Sequence, residues 1–366
     1  QKRAWGRIRA AGEEVEGMGL GHPAKFPSPW ILDQDINNIK VKLDPWQKVA
    51  GPVSGTCDRR NRSMKGADRK RLRAHGIAPG HYPIGPLNAI TDVAGVRVGH
   101  CTLSQGARTR TGATAILPCS GNVFRDKLPA GMAVLNGYGK FAGATQIMEL
   151  GEIETPILLT NTLATGRAIE ALIAHTLAQP GNEFVVSINA VVGETNDSGL
   201  NDIRAPRPSV AEMRLALDTA ASGPVAEGAV GAGTGTMAFG LKGGIGTASR
   251  RVGDWTLGVL VQSNFGGHLL VAGRPIPDAP PGHDADGSIV IVMATDAPLC
   301  PRNLERLARR AFGGLARTGA ALSNGSGGYA LAFSPDRAAP RLPNPAISPL
   351  LADATEGTEQ ACPHSP

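Results

Sequence analysis

The stretch that decides the fold is GHDADGSIVIVMATDAPL, residues 282–299, in which a polar turn runs directly into an apolar segment. The apolar run is short and aliphatic, which predicts a buried β-strand. Ser288 stands between Gly287 and the first residue of this run. It either merely opens a strand after an Asp-Gly turn, which is a common arrangement, or uses its hydroxyl for chemistry.

The second possibility has a definite chemistry. A hydroxyl that follows glycine can attack the preceding carbonyl, shift the acyl group from nitrogen to oxygen and leave an ester that water cleaves. Gly287 suits this step because it has no Cβ to crowd the attack. Cleavage frees the α-amino group of Ser288, whose ordinary pKa of about 7.7–8.0 lets it act as base for its own hydroxyl.

Other segments are predicted to meet Ser288 at one sheet edge. Ser326 precedes the apolar run YALAFS, and PRNLERLARRAFGGLART, residues 301–318, has the apolar stripe of an amphipathic helix. A strand–helix–strand unit with parallel strands places both serines at the same edge. Asn264 closes a third strand, WTLGVLVQSN, where its amide can donate to a developing oxyanion, and Lys242 can add positive charge.

The rest of the chain predicts a layered domain. GATAILP, PILLTNT and FVVSINAVV are typical of buried strands, and GRAIEALIAHTLAQP has helical spacing. Ser209 and Glu212 form a capping-box pattern at the start of a further helix. Sheets bordered by helices indicate an α/β fold of the α+β layered kind. After Pro335 the chain is rich in proline, and we expect a loose tail.

Charge and composition divide the chain. Residues 1–73 hold 16 Lys and Arg against 8 Asp and Glu, whereas the remainder holds 21 against 23, so no basic nucleic-acid groove is expected in the main body. Residues 1–69 lack sustained periodicity and are interpreted as an N-terminal extension that is poorly ordered or not native. Residues 70–366 are predicted to form a single domain.

The remaining residue counts exclude several classes. Five cysteines without a Cys-x-x-Cys pair predict reduced thiols and a cytoplasmic protein, and no segment is apolar enough for a membrane span or a signal peptide. Histidines in no metal-binding spacing predict no metal. The glycine run GAVGAGTGTMAFGLKGGIG, residues 228–246, fits neither a dinucleotide fingerprint nor a P-loop, so nucleotide binding stays a minor alternative.

Five motifs in order resemble the DmpA-like L-aminopeptidase/D-esterase family, which includes β-aminopeptidases and nylon-oligomer hydrolases. They are GPLNAITDVAGVRVGH, GAVGAGTGTMAFGLKGGIGTASR, LGVLVQSNFG, GSIVIVMATDAPL and SNGSGGYALAFS, and the likeness spans about residues 70–335. The resemblance implies an αββα sandwich that is similar to the N-terminal nucleophile hydrolases but differently connected. It also implies a homo-oligomer of αβ units and no cofactor.

The resemblance further implies a self-processing serine aminopeptidase that acts on small peptides, amides or esters. The cut would fall between Gly287 and Ser288, giving an α chain that ends at residue 287 and a β chain of residues 288–366. By the same resemblance Ser288 is the nucleophile, Asn264 the oxyanion-hole amide and Lys242 the active-site lysine. Ser326 would lie beside the amine of the nucleophile.

One position departs from the family pattern. The family has an acid two residues after the second serine, and here that position is Gly328. The departure leaves open a relative that keeps the fold and processing without robust turnover. GETNDSGLND, residues 193–202, resembles a substrate-pocket loop of the family, and its polar residues are candidates for the pocket or for a substitute acid: Glu194, Asn196, Asp197 and Asp202.

Overall fold

A computed structural model of the chain describes residues 71–276, 287–337 and 341–365. The predicted extension, residues 1–69, lies outside the described residues. The strands are β1 Arg97–Gln105, β2 Thr109–Leu117, β3 Leu128–Gly137, β4 Phe141–Ala142, β5 Glu152–Ile153, β6 Ile157–Asn161, β7 Val191–Thr195, β8 Met237–Ala238, β9 Leu241–Lys242, β10 Gly244–Val252, β11 Trp255–Asn264, β12 Leu270–Val271, β13 Arg274–Pro275, β14 Ser288–Thr295 and β15 Gly327–Phe333. The α-helices are α1 Ala144–Leu150, α2 Thr165–Leu177, α3 Val210–Asp218, α4 Pro301–Arg317 and α5 Ser348–His364.

The larger sheet carries the residues of interest at one edge. Its strand order is β10-β11-β14-β15-β3-β5. β11 pairs antiparallel with β14, and β14 pairs parallel with β15 through the crossover helix α4. Asn264, Ser288 and Gly327 are successive partners across the three strands. The strand–helix–strand unit and its antiparallel neighbour are therefore confirmed.

The smaller sheet has the strand order β1-β2-β6-β7-β4 and packs against α2 and α3. At the start of α3 the backbone nitrogen of Glu212 donates to the Ser209 hydroxyl at 3.3 Å. The Glu212 carboxylate in turn accepts from the Ser209 backbone nitrogen at 2.8 Å. The predicted capping box is confirmed, and it satisfies two of the donors that a helix start leaves unpaired.

Three apolar clusters define the layers. One fills the space between the two sheets, the second lies between the larger sheet and α4 and α5, and the third lies between the smaller sheet and α2 and α3. The molecule is thus a helix–sheet–sheet–helix sandwich, as expected. Within the part of the chain that the structure describes, no helix has the length and hydropathy that a membrane span needs.

The sandwich explains why the run after Ser288 is continuously apolar. Ile289 and Ile291 face α4 and α5, whereas Val290 and Val292 face the other sheet. A strand covered on both faces needs apolar residues at every position instead of at alternate ones. By the same alternation Ser288 lies on the side of Val290, so its hydroxyl faces the space between the sheets.

The predicted strand FVVSINAVV is correct only at its end. The strand β7 begins at Val191, and Phe184 and Val186 are 91% and 98% exposed. The backbone nitrogen of Asn189 donates to the carboxylate of Glu154 instead of to a neighbouring strand. Side chains thus satisfy this backbone before sheet pairing starts, and composition alone does not reveal that boundary.

The predicted loose tail is wrong. Residues 348–364 form the 17-residue helix α5, which packs on α4, β10 and β11. Its sequence contains proline, glycine and threonine, which are poor helix formers, so the helix owes its stability to packing. The helix α5 approaches the larger sheet closely, and only a residue without a Cβ fits at Gly246 of β10. A Cβ there would lie 2.0 Å from the carbonyl oxygen of Ala361.

A buried acid in α5 makes stability depend on pH. Asp353 and Arg250 are both 0% exposed, and burial raises the pKa of Asp353 to about 8, with Arg250 opposing the rise only in part. An unfolded aspartate titrates near pH 4. The folded state therefore keeps a proton that the unfolded chain releases. Burial of Asp353 therefore leaves the free energy of unfolding at its highest below about pH 4. That free energy falls as pH rises towards 8, because the unfolded chain gains by ionising.

We expect Asp353→Asn to flatten this dependence. Its melting temperature should match wild type near pH 4 and exceed it near pH 8, because the amide imitates the protonated acid without ionising. Thermal unfolding at both pH values measures the effect. Asp254→Asn, in the exposed turn before β11, is the control and should follow wild type. Parallel pH curves for wild type and Asp353→Asn would contradict the prediction.

Candidate active site

A cavity of about 440 Å³ opens at the edge of the larger sheet where Ser288 lies. Its described walls come from the segments that follow β3, β6, β7 and β11, from the β8–β9 region and from the start of β14. The lining residues are Tyr138, Gly139, Lys140, Thr162, Glu194, Asn196, Ser198, Gly199, Gly235, Met237, Gly240, Asn264, Phe265, Gly266, Gly287, Ser288 and Gly325. Strand ends and loops thus bring together residues that are far apart in sequence.

Ser288 lines this cavity, and a backbone donor lies beside its hydroxyl. The Gly327 nitrogen donates to the Ser288 hydroxyl oxygen at 3.2 Å. The same nitrogen lies 3.1 Å from the carbonyl oxygen of Gly287. A single N–H therefore contacts both the nucleophile candidate and the carbonyl that precedes it, and it can polarise that carbonyl.

Only glycine fits at position 287, because the backbone of a neighbouring segment fills the space that a Cβ would need. A Cβ at this position would lie 2.3 Å from the carbonyl oxygen of Asn264 and 2.5 Å from the Cα atom of Phe265. Both obstacles belong to the backbone of the neighbouring segment, so no side-chain movement relieves them. Glycine thus lets the peptide before Ser288 lie directly against the end of β11.

The amide of Asn264 is held from both ends. Its Oδ1 accepts from the backbone nitrogen of Met237 at 3.0 Å, and its Nδ2 donates to the carbonyl oxygen of Asn196 at 2.9 Å. Because a backbone N–H can only donate, the contact with Met237 fixes which end of the amide is oxygen. Asn264 lines the cavity beside Ser288, and its Nδ2 carries a second hydrogen that can serve a ligand.

Lys242 lies outside the set of lining residues. Its ammonium donates to the carbonyl oxygens of Gly233 at 2.8 Å, Thr236 at 2.7 Å and Gly243 at 2.6 Å. These contacts hold together the glycine-rich loop that contributes Gly235 to the cavity wall. The geometry therefore gives Lys242 a positioning contact with the wall, and the glycine run serves close backbone packing.

Ser326 is buried immediately before Gly327, and its position depends on Asn136. The Nδ2 atom of Asn136, near the end of β3, donates to the carbonyl oxygens of Ser326 and Asn324, the latter at 2.8 Å. Asn136 thus ties the loop before β15 to β3. Sequence reasoning missed this residue because the β3 strand was not predicted.

The candidate acids separate into three environments. Glu194 and its neighbour Asn196 line the cavity, and Glu194 is only 2% exposed. Asp197 lies outside the lining set, accepts from Asn201 at 3.0 Å, and has its pKa raised to about 6 by burial. Asp202 is exposed and does not line the cavity. Glu194 is therefore the carboxylate that the structure brings to the cavity.

Gly328 occupies a different face from Ser288. It pairs with Ile289, whereas Gly327 pairs with Ser288. A Cβ at Gly328 would lie 3.1 Å from the Leu135 Cβ. Since side chains alternate along a strand, a side chain at 328 would leave on the face opposite to the Ser288 hydroxyl.

Tyr138, Lys140 and Thr162 are among the lining residues that sequence reasoning missed. Tyr138 and Lys140 follow the unpredicted strand β3, in the segment NGYGK. An Asn-Gly pair is typical of a turn, but it gives no reason to place that turn at the cavity. Within the described residues no group of three or more His, Cys, Asp and Glu side chains could hold a metal ion.

Comparisons with known proteins show the family to which the chain belongs. The model of Peptidase family S58 matches residues 88–365. The β-peptidyl aminopeptidase BapA of Sphingosinicella microcystinivorans is 39% identical over 341 residues, covering 81% of this chain and 85% of the relative. The solved structure of the PH0078 protein from Pyrococcus horikoshii OT3 has a TM-score of 0.76 at 43% identity, covering 81% of this chain and 91% of that one.

A second solved structure bears on the fold. It is the L-aminopeptidase D-Ala-esterase/amidase of Ochrobactrum anthropi, described as a prototype of the serine aminopeptidases and a new variant of the Ntn hydrolase fold. Its TM-score is 0.73 at 36% identity, covering 80% of this chain and 89% of that one. The family match, the sandwich and the cavity point the same way, and the chain belongs to peptidase family S58, whose relatives here are aminopeptidases.

Proposed function

We propose that this hydrolase cuts itself between Gly287 and Ser288 and then uses Ser288 as an N-terminal nucleophile to release N-terminal residues from small peptides, amides or esters. The observation that carries the proposal is the Gly327 N–H, which contacts both the Ser288 hydroxyl at 3.2 Å and the Gly287 carbonyl at 3.1 Å. Donor, nucleophile and scissile carbonyl are thus already together in the uncut chain.

Self-cleavage would proceed by an acyl shift. The Ser288 oxygen bonds to the Gly287 carbonyl carbon, the Gly287–Ser288 C–N bond breaks, and the hydroxyl proton passes to the released nitrogen. The oxyanion that forms on Gly287 is stabilised by the Gly327 N–H. Water then hydrolyses the ester, leaving a carboxylate on Gly287 and a free amine and hydroxyl on Ser288.

Turnover would reuse the same atoms. The α-amine of Ser288, with an ordinary pKa of about 7.7–8.0, takes the proton from its own hydroxyl as that oxygen attacks a substrate carbonyl. The free hydrogen of the Asn264 amide stabilises the new oxyanion, and Ser326, which the family resemblance implies to lie beside the amine, would relay the proton. The α-ammonium then gives this proton to the leaving amine or alkoxide as the substrate C–N or C–O bond breaks, and water hydrolyses the resulting acyl-enzyme ester. Lys242 contributes by holding the glycine-rich wall.

Glu194 is the group that we assign to the substrate's own amine. Its carboxylate lines the cavity, and each carboxylate oxygen can accept a second hydrogen bond beyond its present one. The relatives named β-peptidyl aminopeptidases support β-amino-acyl groups as substrates of this chain. No cofactor is needed for any step.

The test is the intact mass of the purified protein after denaturation. We expect two fragments, the smaller of which begins at Ser288 and contains residues 288–366. One uncut chain would overturn self-processing. Two fragments with no hydrolysis of any amide or ester would favour the alternative, a processing-only relative. The position of Gly328 on the opposite face from Ser288 argues against that alternative, because an acid at 328 would not point towards the hydroxyl.

Assembly and location complete the proposal. Phe184 and Val186 expose large apolar side chains on the extended stretch before β7, which supports a homo-oligomer in which another copy covers them. Light scattering that gives the mass of a single αβ unit would contradict this.

Cys119, Cys300 and Cys362 are free thiols, which supports the cytoplasm as the compartment, and fractionation of cells checks it.

A further inference from the structure

The charged groups of the cavity suggest which acyl group it accepts. Among the described residues that line it, Lys140 and Glu194 have charged side chains. The backbone nitrogen of Lys140 donates to Glu194 Oε1 at 2.8 Å, so the two residues are direct neighbours in the wall. Two neighbouring wall residues, one with a cationic and one with an anionic side chain, complement a ligand that carries both charges on one carbon.

The two groups differ in what already contacts them. Glu194 is 2% exposed and accepts from the Lys140 backbone and from the hydroxyl of Thr162. The Lys140 ammonium is exposed and lies 5.9 Å from the centroid of the Tyr138 ring. The described residues give it no ion-pair partner. The ammonium is therefore available to a carboxylate in the cavity.

Lys140 also lies near Ser288 in space, because the residue before it in sequence packs beside the start of β15. Its neighbour Gly139 packs against Gly327, since a Cβ at Gly327 would lie 2.8 Å from the Gly139 Cα and 3.1 Å from the Ser288 hydroxyl oxygen. A lysine side chain is long and flexible. Its ammonium can thus meet a substrate carboxylate a few bonds from the carbonyl that Ser288 attacks.

We propose that the cavity prefers acyl groups with an ammonium and a carboxylate on the same carbon, linked to the leaving amine through the side-chain carboxyl, as in β-aspartyl amides. The ammonium binds Glu194, the carboxylate binds Lys140, and the side-chain carbonyl reaches Ser288. This inference rests on the proposed function and names its substrate class. A β-aspartyl group is a β-amino-acyl group with one added carboxylate.

Two p-nitroanilides isolate that carboxylate. β-Alanyl-p-nitroanilide and L-aspartic acid β-(p-nitroanilide) differ by the carboxylate alone, and release of p-nitroaniline gives kcat/KM for each. We expect wild type to prefer the β-aspartyl compound by about tenfold, the scale of a charge-assisted hydrogen bond in a partly desolvated site. Lys140→Gln should bring the ratio close to or below one, and Lys140→Glu should reverse it.

Arg302→Gln is the matched control because it removes an exposed positive charge on α4 that is not among the cavity-lining residues. It should keep the wild-type ratio, whereas a loss equal to that of Lys140→Gln would overturn the assignment. Cleavage of β-alanyl or L-alanyl p-nitroanilide without a β-aspartyl preference would overturn this inference and leave the aminopeptidase function standing. Cleavage of none of the three would overturn both.

Discussion

A Ser288→Ala variant is expected to remain one uncut chain and to lose hydrolysis of every amide and ester substrate. Alanine removes the oxygen that attacks the carbonyl carbon in both self-cleavage and turnover. The Gly287–Ser288 bond then has no internal nucleophile, and no terminal amine is formed. Removal of a serine nucleophile costs about 10⁴-fold or more in kcat in other serine hydrolases, so turnover should fall below detection. Intact mass and product release measure the two losses.

Ser263→Ala is the control for this variant. Ser263 is fully buried one residue before Asn264, and it pairs with Ile289 on the face opposite to Ser288. Its hydroxyl has no hydrogen-bond partner among the described residues, so its loss should be tolerated. We expect Ser263→Ala to be cut and to turn over substrate. A Ser288→Ala protein that still yields a fragment beginning at residue 288 would contradict self-processing.

The sheet edge could be predicted because its signals are local and strong. Two aliphatic runs, one after Ser288 and one after Ser326, are separated by an amphipathic helix. This order predicts a parallel pair of strands, since parallel strands need a crossover connection. Asn264 followed from the same logic. These three elements carry the arrangement of Asn264, Ser288 and Gly327 that the structure contains.

The wall of the cavity could not be predicted in the same way. Tyr138 and Lys140 reach it through β3, a strand with no clear alternation, and α5 is stabilised by packing that its composition does not reveal. The Gly327 donor is a backbone N–H, which every non-proline residue has, so only strand register selects it. Lys242 is attractive as a charge in sequence, yet its contacts with three carbonyls appear only in three dimensions.

Asn264→Ala is expected to separate self-cleavage from turnover. The Gly287 carbonyl already has the Gly327 nitrogen at 3.1 Å, so the variant should still yield two fragments. Substrate hydrolysis should lose the Asn264 donor to the oxyanion, a loss of about 10²–10³-fold in kcat or roughly 3 kcal/mol of transition-state stabilisation. KM should change much less, because that donor acts mainly on the charge that develops during attack.

Asn201→Ala distinguishes this catalytic loss from loop damage. Like Asn264, Asn201 is a buried amide held at both ends, with Oδ1 accepting from the Arg110 nitrogen at 3.1 Å and Nδ2 donating to Asp197 at 3.0 Å. It does not line the cavity. Both variants should therefore lower the melting temperature, while only Asn264→Ala lowers kcat by two orders of magnitude or more. Equal losses of kcat in the two variants would mean that Asn264 only supports the loop of Asn196. An uncut Asn264→Ala chain would mean that the Asn264 amide, not the Gly327 N–H, stabilises the oxyanion of self-cleavage.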